Sequence, residues 1–431
     1  MSIANVELPP SAQDFSSVNR RNLLEATRDN IAVPPRNGQD GYGYTSNRNF
    51  SIPVPPGNNW LDMKNTHIMA TISTTPKSTE NPDDFRRAGA AGVMSYIRRA
   101  TFRVQGGRDM QKVDNVNLIT SIMALFYSDE WKYGVGRRFG YGTDLQRASD
   151  AVFTAGTVNG KRMEFDLIAM GLLESGRALI NSAVGWEFEF ELEDPVIAMT
   201  SKISGANYQF NNVQLYAELV TGTDMLDAEV QEMWAEGMPI TVPFEDHYYF
   251  PQVLNVQESL SQKNFSIAAD AVIAYLCRFL LTSDMSNQQA DIFKLGVNPG
   301  VNFAQLQVGG QLIPPSRIEM SGSGAEFQAQ IHNGWFRNEI PQSCEIDGDA
   351  FYSNPPIEGV PVASSQFLIG IGLGGGRDAH IDPGLNFNLG NSQAYLRLQL
   401  LAGLTVTVHM LQIVTTIMHM NILPNDAQVQ G

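Results

Sequence analysis

The stretch from Tyr208 to Phe250, YQFNNVQLYAELVTGTDMLDAEVQEMWAEGMPITVPFEDHYYF, constrains the organisation of the whole chain. Its first part alternates, with Val213, Leu215, Ala217 and Leu219 on one side and Gln214, Tyr216 and Glu218 on the other. That period of two marks a strand buried on one face. Asp224 or Asp227 then caps a short helix whose apolar side is Met225, Val230, Met233 and Trp234, and Gly237 stops it. A new strand starts over Pro239 to Phe244, and near the C-terminus Leu404 to His409 alternate in the same way. A long amphipathic strand, a short connector and a fresh strand predict two β-domains of similar size, each closed by such a strand.

Composition fits that reading. At 431 residues the chain is long enough for two to three domains of roughly 150 residues each. Only 17% of residues are charged, and 38 Gly and 22 Pro supply the turns of a β protein with large uncharged contact surfaces. A formal charge of −16 argues against a surface built to neutralise phosphates. Cys277 lies in the apolar run AVIAYLCRFLL and Cys344 in a polar segment, so no disulfide framework is expected and a reducing compartment is the simpler reading. The N-terminal MSIANVELPP carries Glu7 and lacks the basic-then-apolar pattern of a signal peptide. The most apolar window, Leu400 to Ile422, is interrupted by Thr405, Thr407, His409 and Gln412, so no membrane span is expected.

Taken in order, residues 1–45 read as a polar arm with one helix over Ser17 to Asp29, leading into a first barrel over 46–222. Pro53, Pro55 and Pro56 put the first strand, FSIPV, at a sheet edge. HIMATISTT and VMSYIRRATFRV read as further strands. Val116, Ile119, Met123 and Phe126 recur at helical spacing, with Asp114 as an early-turn acid. The Gly/Arg-rich loop from Tyr133 to Asp144 has the length and composition of a functional or interface-forming loop. In WEFEFEL, Trp186, Phe188, Phe190 and Leu192 point one way and Glu187, Glu189 and Glu191 the other. The carboxylate face is expected to be solvated; a neighbouring strand or subunit carrying Arg is the second reading.

A linker helix is expected over 223–238, a second barrel over 239–424 and a tail over 425–431. KNFSIAADAVIAYLCRFLL is strand or buried helix, which periodicity does not separate. SDMSNQQADIFKLG reads as a capped helix ending in Gly296, and AEFQAQIHNGWF as another helix. Two short strands flank Gly309-Gly310, and QFLIGIGL, AYLRLQLL and LTVTVHM supply the last strands. The apolar phase shifts near Leu411 to Val414, which predicts a bulge.

Motifs for chemistry are weak. Gly370, Gly372 and Gly375 match G-x-G-x-x-G after an apolar strand, but Pro383 arrives too soon for the needed helix and no βαβ unit surrounds them. Asp378, His380 and Asp382 are hard ligands for a cation, yet lack a fourth ligand of known spacing and read as a structural loop. His409 and His419 read as core or interface histidines. No P-loop, H-E-x-x-H or G-x-S-x-G occurs, so no catalytic, cofactor-binding or metal residue is assigned, no cofactor is expected and the chain is not read as an enzyme.

The seam NNVQLYAELV with MPITVPFEDHYYF after it, the closing LRLQLLAGLTVTVHMLQIVTTIMHMNI, a helix inserted partway through each half and a polar arm carry a resemblance. Over residues 46–424 the chain resembles the double jelly-roll major capsid proteins of tailless membrane-containing phages, virophages and large eukaryotic DNA viruses. The resemblance implies a mainly β fold of two consecutive jelly-roll β-barrels with short inserted helices. It implies pseudo-hexagonal homotrimeric capsomers that tile an icosahedral shell in the virion. The partners it implies are other copies of the chain, neighbouring capsomers, minor capsid or penton proteins, and an internal membrane met by the arm. Within residues 1–36, Arg20, Arg21, Arg28 and Arg36 are balanced by Glu7, Asp14, Glu25 and Asp29, so direct nucleic-acid binding is not expected. Two alternatives stay open. One is a single jelly-roll small-virus coat with a projection domain, whose usual mark is a basic arm. The other is a carbohydrate-binding β-sandwich protein, which needs paired carboxylates in a cleft with aromatic platforms.

Overall fold

The computed structural model describes residues 27–57, 59–74, 86–143, 160–174, 178–181, 185–202, 205–221, 232, 235–236, 240–265, 269, 271–294, 296–319, 329–331, 362–363, 367–373, 385, 387 and 394–422. The first half carries β1 (Thr27–Val33), β2 (Asn49–Val54), β3 (Asn59–Thr74), β4 (Arg86–Ala88), β5 (Ile97–Val104), β6 (Asp109–Asp114), β7 (Lys161–Glu164), β8 (Ala178–Asn181), β9 (Trp186–Leu192), β10 (Met199–Ser201) and β11 (Tyr208–Thr221). Two antiparallel sheets result, in the orders β1-β11-β3-β7, with β8 also on β3, and β2-β9-β5-β6; β4 and β10 form a separate pair. The second half carries β12 (Ile240–Leu254), β13 (Leu260–Phe265), β14 (Val272–Leu281), β15 (Val297–Asn298), β16 (Val301–Val308), β17 (Gln311–Glu319), β18 (Val362–Ala363), β19 (Leu368–Gly372), β20 (Ala394–Leu400) and β21 (Val408–Ile422). Its sheets run β12-β21-β14-β19 and β13-β20-β16-β17, with β15 and β18 as a separate pair.

The two halves have one topology. In each, the last long strand enters between the first and third and four further strands make the facing sheet; in the first half β7 and β8 pair with separate stretches of β3 and share one strand position, so each half has the eight strand positions of a jelly roll. The fold is the mainly β double jelly roll that the sequence predicts. β11 buries Val213, Leu215 and Ala217 as its alternation requires. Glu218 is buried too, because Arg28 of β1 pairs with it. β2 lies at the edge of its sheet, where Pro53 faces Glu187 without needing a second ladder. The β16–β17 hairpin turns on Gly309 and Gly310 at φ 55° and 89°, the left-handed pair that a two-residue turn demands.

Several expectations are corrected. The arm over residues 1–45 is shorter: Thr27–Val33 pairs along its whole length with β11, and Tyr42 is fully buried and bridged to Phe210. Of the helix expected over Ser17 to Asp29, Thr27 to Asp29 are strand and the earlier residues lie outside the described ones. VMSYIRRATFRV begins with a 3-10 turn over Gly92–Tyr96 before β5. The helix after Asp114 is present as α1 (Val116–Met123), but Asp114 ends β6 and the cap is Asn115 in the left-handed region. All eight α1 residues are buried, as for a helix enclosed by protein on every side. Leu404 to Val406 do not begin the last strand, which starts at Val408. Its pairing with β12 is unbroken from Val408 to Ile422, so there is no bulge at Leu411 to Val414. The phase shift reflects burial on both faces instead, with every residue from Met410 to Thr416 buried. The linker helix over 223–238 lies outside the described residues except Glu232, Ala235 and Glu236, where the Glu236 N–H donates to the Glu232 carbonyl at 3.1 Å. The AEFQAQIHNGWF helix, apart from residues 329–331, and the 425–431 tail lie outside them as well.

β9 has the predicted inward face. Trp186, Phe188, Phe190 and Leu192 are all buried, with Phe190 stacked at 5.3 Å on Phe50 and Phe188 at 5.0 Å from Phe102. Replacing Phe188 by Ala is expected to cost about 3–5 kcal/mol of unfolding free energy, against about 0–1 kcal/mol for Glu189→Gln on the partly exposed face. Equal losses in denaturant titrations would contradict this packing.

Candidate functional site

The outer face of β9 is not solvated as expected; the second reading, a neighbouring strand carrying Arg, is what the structure contains. β9 runs between β2 and β5, and the antiparallel register places Arg99 opposite Glu191 and Arg103 opposite Glu187. Glu187 accepts from Arg36 Nε at 2.8 Å and Arg103 Nε at 3.1 Å. Glu189 meets Arg103 Nη2 at 2.6 Å, and Glu191 meets Arg48 at 2.7 Å, Arg99 at 2.9 Å and Arg98 at 3.7 Å. The sequence carries a signal for this, since Arg99 and Arg103 have the same four-residue spacing as Glu187 and Glu191. Three carboxylates meet five guanidinium groups, so every carboxylate of this face is compensated and the ladder is left with an excess of arginine.

The second feature is the junction between the barrels, which the sequence does not reveal. Residues 283–296, expected as a capped helix, form a 3-10 turn at Asp284–Ser286 and then successive turns. Their polar groups bond across the junction instead of along a helix. Gln288 is buried: its amide donates to the Pro195 carbonyl at 3.1 Å and the Ala206 carbonyl at 2.9 Å, and its Oε1 accepts from the Gly205 N–H at 2.9 Å. Its own carbonyl accepts from the Ser201 N–H at 2.9 Å. Asp291 accepts from the Ala90 N–H at 3.1 Å. From below, the buried Arg278 of β14 donates to the carbonyls of Phe293 and Lys294, both at 3.0 Å. Ala91 and Leu118 of the first barrel and Leu280, Ile292, Phe293 and Leu411 of the second complete an apolar cluster there.

A second contact lies beside it. Gln111 of β6 donates to Asp246 Oδ1 of β12 at 2.9 Å and accepts from the Leu172 N–H at 3.1 Å. A Cβ at Gly171 would sit 2.1 Å from the Glu245 carbonyl oxygen, so only glycine permits this approach. Burial raises the Asp246 carboxyl above its usual range and pushes the neighbouring His247 down to about 4. His247 Nδ1 lies 3.0 Å from Thr415 Oγ1.

The motifs singled out for chemistry do not meet here. Gly370 and Gly372 are β19 backbone, paired with Leu276 and Ala274. Gly375, Asp378, His380, Asp382 and Cys344 lie outside the described residues. His409 and His419 both fall on β21, opposite Val253 and Pro243. Cys277 is buried, and burial drives its thiol far up, away from reactive thiolate.

Two measurements check the junction. Gln288→Ala is expected to cost roughly 2–3 kcal/mol, because buried backbone groups lose their partners, while the exposed Gln289→Ala costs under about 0.5 kcal/mol; equal values in denaturant titrations would contradict the assignment. His247 has a folded pKa of about 4, below its ordinary ~6.5, so the stability it contributes is present above 6.5 and lost as pH falls towards 4. Asp246, raised by burial, acts in the opposite sense. Comparing the chain with His247→Gln isolates the histidine: about 1.5 kcal/mol of the loss between pH 6.5 and 5 should vanish in the variant. An unchanged slope would refute it.

No family model and no curated protein matches the chain. Solved structures do. The Faustovirus major capsid protein is 9% identical with a TM-score of 0.61, covering 92% of this chain and 90% of its own. The PBCV-1 virus capsid is 10% identical with a TM-score of 0.54, covering 93% and 95%. A chain of the Sputnik virophage is 12% identical with a TM-score of 0.54, covering 92% and 86%.

Proposed function

From a chain with the double jelly-roll fold of viral major capsid proteins, we propose a major capsid protein whose homotrimers, with six barrels each, tile an icosahedral shell. The observation that carries this reading is the pair of barrels of one topology, fixed to each other by the Gln288 bracket and the apolar cluster around Phe293. A building block of that kind presents a pseudo-repeated outline only if its halves do not swing. In this reading residues 1–26 are the arm, which meets an internal membrane, a minor protein or a neighbouring capsomer, and penton proteins fill the vertices. The role is structural rather than catalytic, and the protein resides in the virion.

The surface supports assembly. Val256, Leu401 and Val406 are exposed on two adjacent turns of the second barrel, and Leu260, at 65%, is exposed where β13 begins beside them. Those turns are fastened together: the Gln257 N–H donates to the Leu404 carbonyl at 2.9 Å and the Leu400 N–H to the Ser259 carbonyl at 2.8 Å. On the first barrel, Tyr133 and Val135 are exposed on either side of Gly134. Different apolar patches on the two barrels suit a head-to-tail contact, which closes into a ring when the rotation permits. Interfaces of this obligate kind commonly bury more than ~2,000 Å².

Light scattering at micromolar concentration is expected to give the mass of three 47.4 kDa chains. The double variant Leu260→Asp, Leu401→Asp should give monomer with an unchanged melting profile. A monomeric parent chain would contradict the proposal.

A further inference from the structure

A cleft of about 820 Å³ opens on the first barrel. Five separated segments build it, with Asn30 of β1 and Glu218 of β11 beside the three described next. The β3 residues Met63–His67 form one rim, where the register to β11 jumps between Tyr216 and Glu218. Asp62 holds that rim, accepting from the Lys64 N–H and from Asn65 Nδ2, each at 3.0 Å. Residues 164–168 form the floor. The opposite wall is Tyr127, Trp131 of α2 (Asp129–Tyr133), Arg138 and Phe139, the last two from the Gly/Arg-rich loop that the sequence marks as functional or interface-forming.

The acidic groups of the cleft are paired or hydrogen-bonded, while Lys64, exposed on the rim, has no carboxylate partner among the described residues. Arg138 Nε lies 3.3 Å from Glu164, and Arg28 pairs with Glu218. The buried Asp166 accepts from the Tyr141 hydroxyl at 2.6 Å, the Tyr127 hydroxyl at 3.1 Å and the Ile168 N–H at 3.2 Å. The lining cations Lys64 and Arg138 stand against three carboxylates, Glu164, Asp166 and Glu218, so the cleft carries no surplus positive charge for an anion. What the cleft offers is a set of oriented polar groups beside aromatic side chains. Asn30, Asn65, Thr66 and His67 stand on the rim, with His67 held flat against Tyr216 at 5.3 Å. Tyr127 and Trp131 pack at 4.3 Å, and Trp131 stacks on Phe139 at 5.7 Å, so the aromatic wall is rigid. Met63, Phe165 and Leu173 add apolar floor.

We propose that this cleft is a binding site for a neutral saccharide, recognised by the Glu164 and Asp166 carboxylates, the amide and imidazole groups of Asn65 and His67, and the aromatic wall at Tyr127 and Trp131. Hydroxyl groups both donate and accept, so they can use carboxylate oxygens and amide or guanidinium N–H groups without bringing net charge. The C–H groups of a pyranose pack against aromatic and apolar surface, which offers an ion nothing. The volume lies within the roughly 300–1,000 Å³ of ligand pockets. Paired carboxylates with aromatic side chains in one cleft are the arrangement required of the carbohydrate-binding alternative, found here on a double jelly roll. The inference does not depend on the capsid reading.

The test is saturation-transfer NMR of the full chain with glucose, galactose, mannose, fucose, N-acetylglucosamine and N-acetylneuraminic acid, extended by an array of neutral, sialylated and sulfated oligosaccharides. Saturable binding of at least one neutral sugar is expected, weakened at least tenfold by Asn65→Ala and by Glu164→Gln. Trp131→Phe, which keeps the aromatic packing, should weaken it less. Each variant must retain the parent's melting profile; if Glu164→Gln does not, the rim variants Asn65→Ala and His67→Ala decide. Binding of acidic sugars alone, no saturable binding of any neutral sugar, or binding unchanged in the rim variants would overturn the proposal.

Discussion

The closing strand of each barrel is the element on which the rest depends. β11 reaches β3 on one side and β1 on the other, pairing Thr221 with Thr27, and β21 does the same between β12 and β14, pairing Ile422 with Ile240. Until that strand arrives, the first and third strands of the sheet are unpaired edges with their polar backbone groups exposed. The pairing joins residues nearly two hundred positions apart, so the loop-closure entropy is lost before the contacts repay it. The length of β11 and β21 and their dense burial are the compensation, since each buries a full apolar face in one step.

The second closing strand has a further consequence. Its sheet is covered on both sides, by its own barrel on one and by the junction on the other. Leu411 on β21 and Leu280 on β14 face the cluster around Phe293, and Arg278 between them anchors the bracket segment by two carbonyl contacts. A sheet buried on both faces cannot alternate. The junction also combines apolar burial with a glutamine whose amide protons both have acceptors, which fixes the angle of approach more tightly than apolar contact alone.

That two-sided burial explains which parts of the chain are readable. VQLYAEL alternates because β11 is buried mainly on one face, and the Gly309-Gly310 hairpin announces itself by the only residues that adopt its backbone freely. VIAYLCRFLL carries no period because β14 has no solvated face, so strand and helix are inseparable there by pattern. Residues 283–296 satisfy the local rules for a capped helix, but their hydrogen-bonding groups are claimed by Pro195, Ser201 and Ala206, a contact no local rule contains. Leu404 alternates correctly with the residues after it, yet its carbonyl accepts from Gln257 and its N–H donates to Glu258, which holds it in a turn. The Glu face of β9 has the phase that the sequence predicts and a different environment, because its Arg partners sit on another strand. The cleft draws on five segments, so only the Tyr133–Asp144 loop hints at it.

The central claim is that two like barrels, fixed at one angle, make a third of a six-barrel capsomer. Single-particle electron microscopy of the purified chain tests it most directly. The account predicts class averages with threefold symmetry and six lobes, the two lobes of each subunit keeping one relative orientation across all classes. Two-lobed single particles, or lobes whose relative orientation varies between classes, would contradict it.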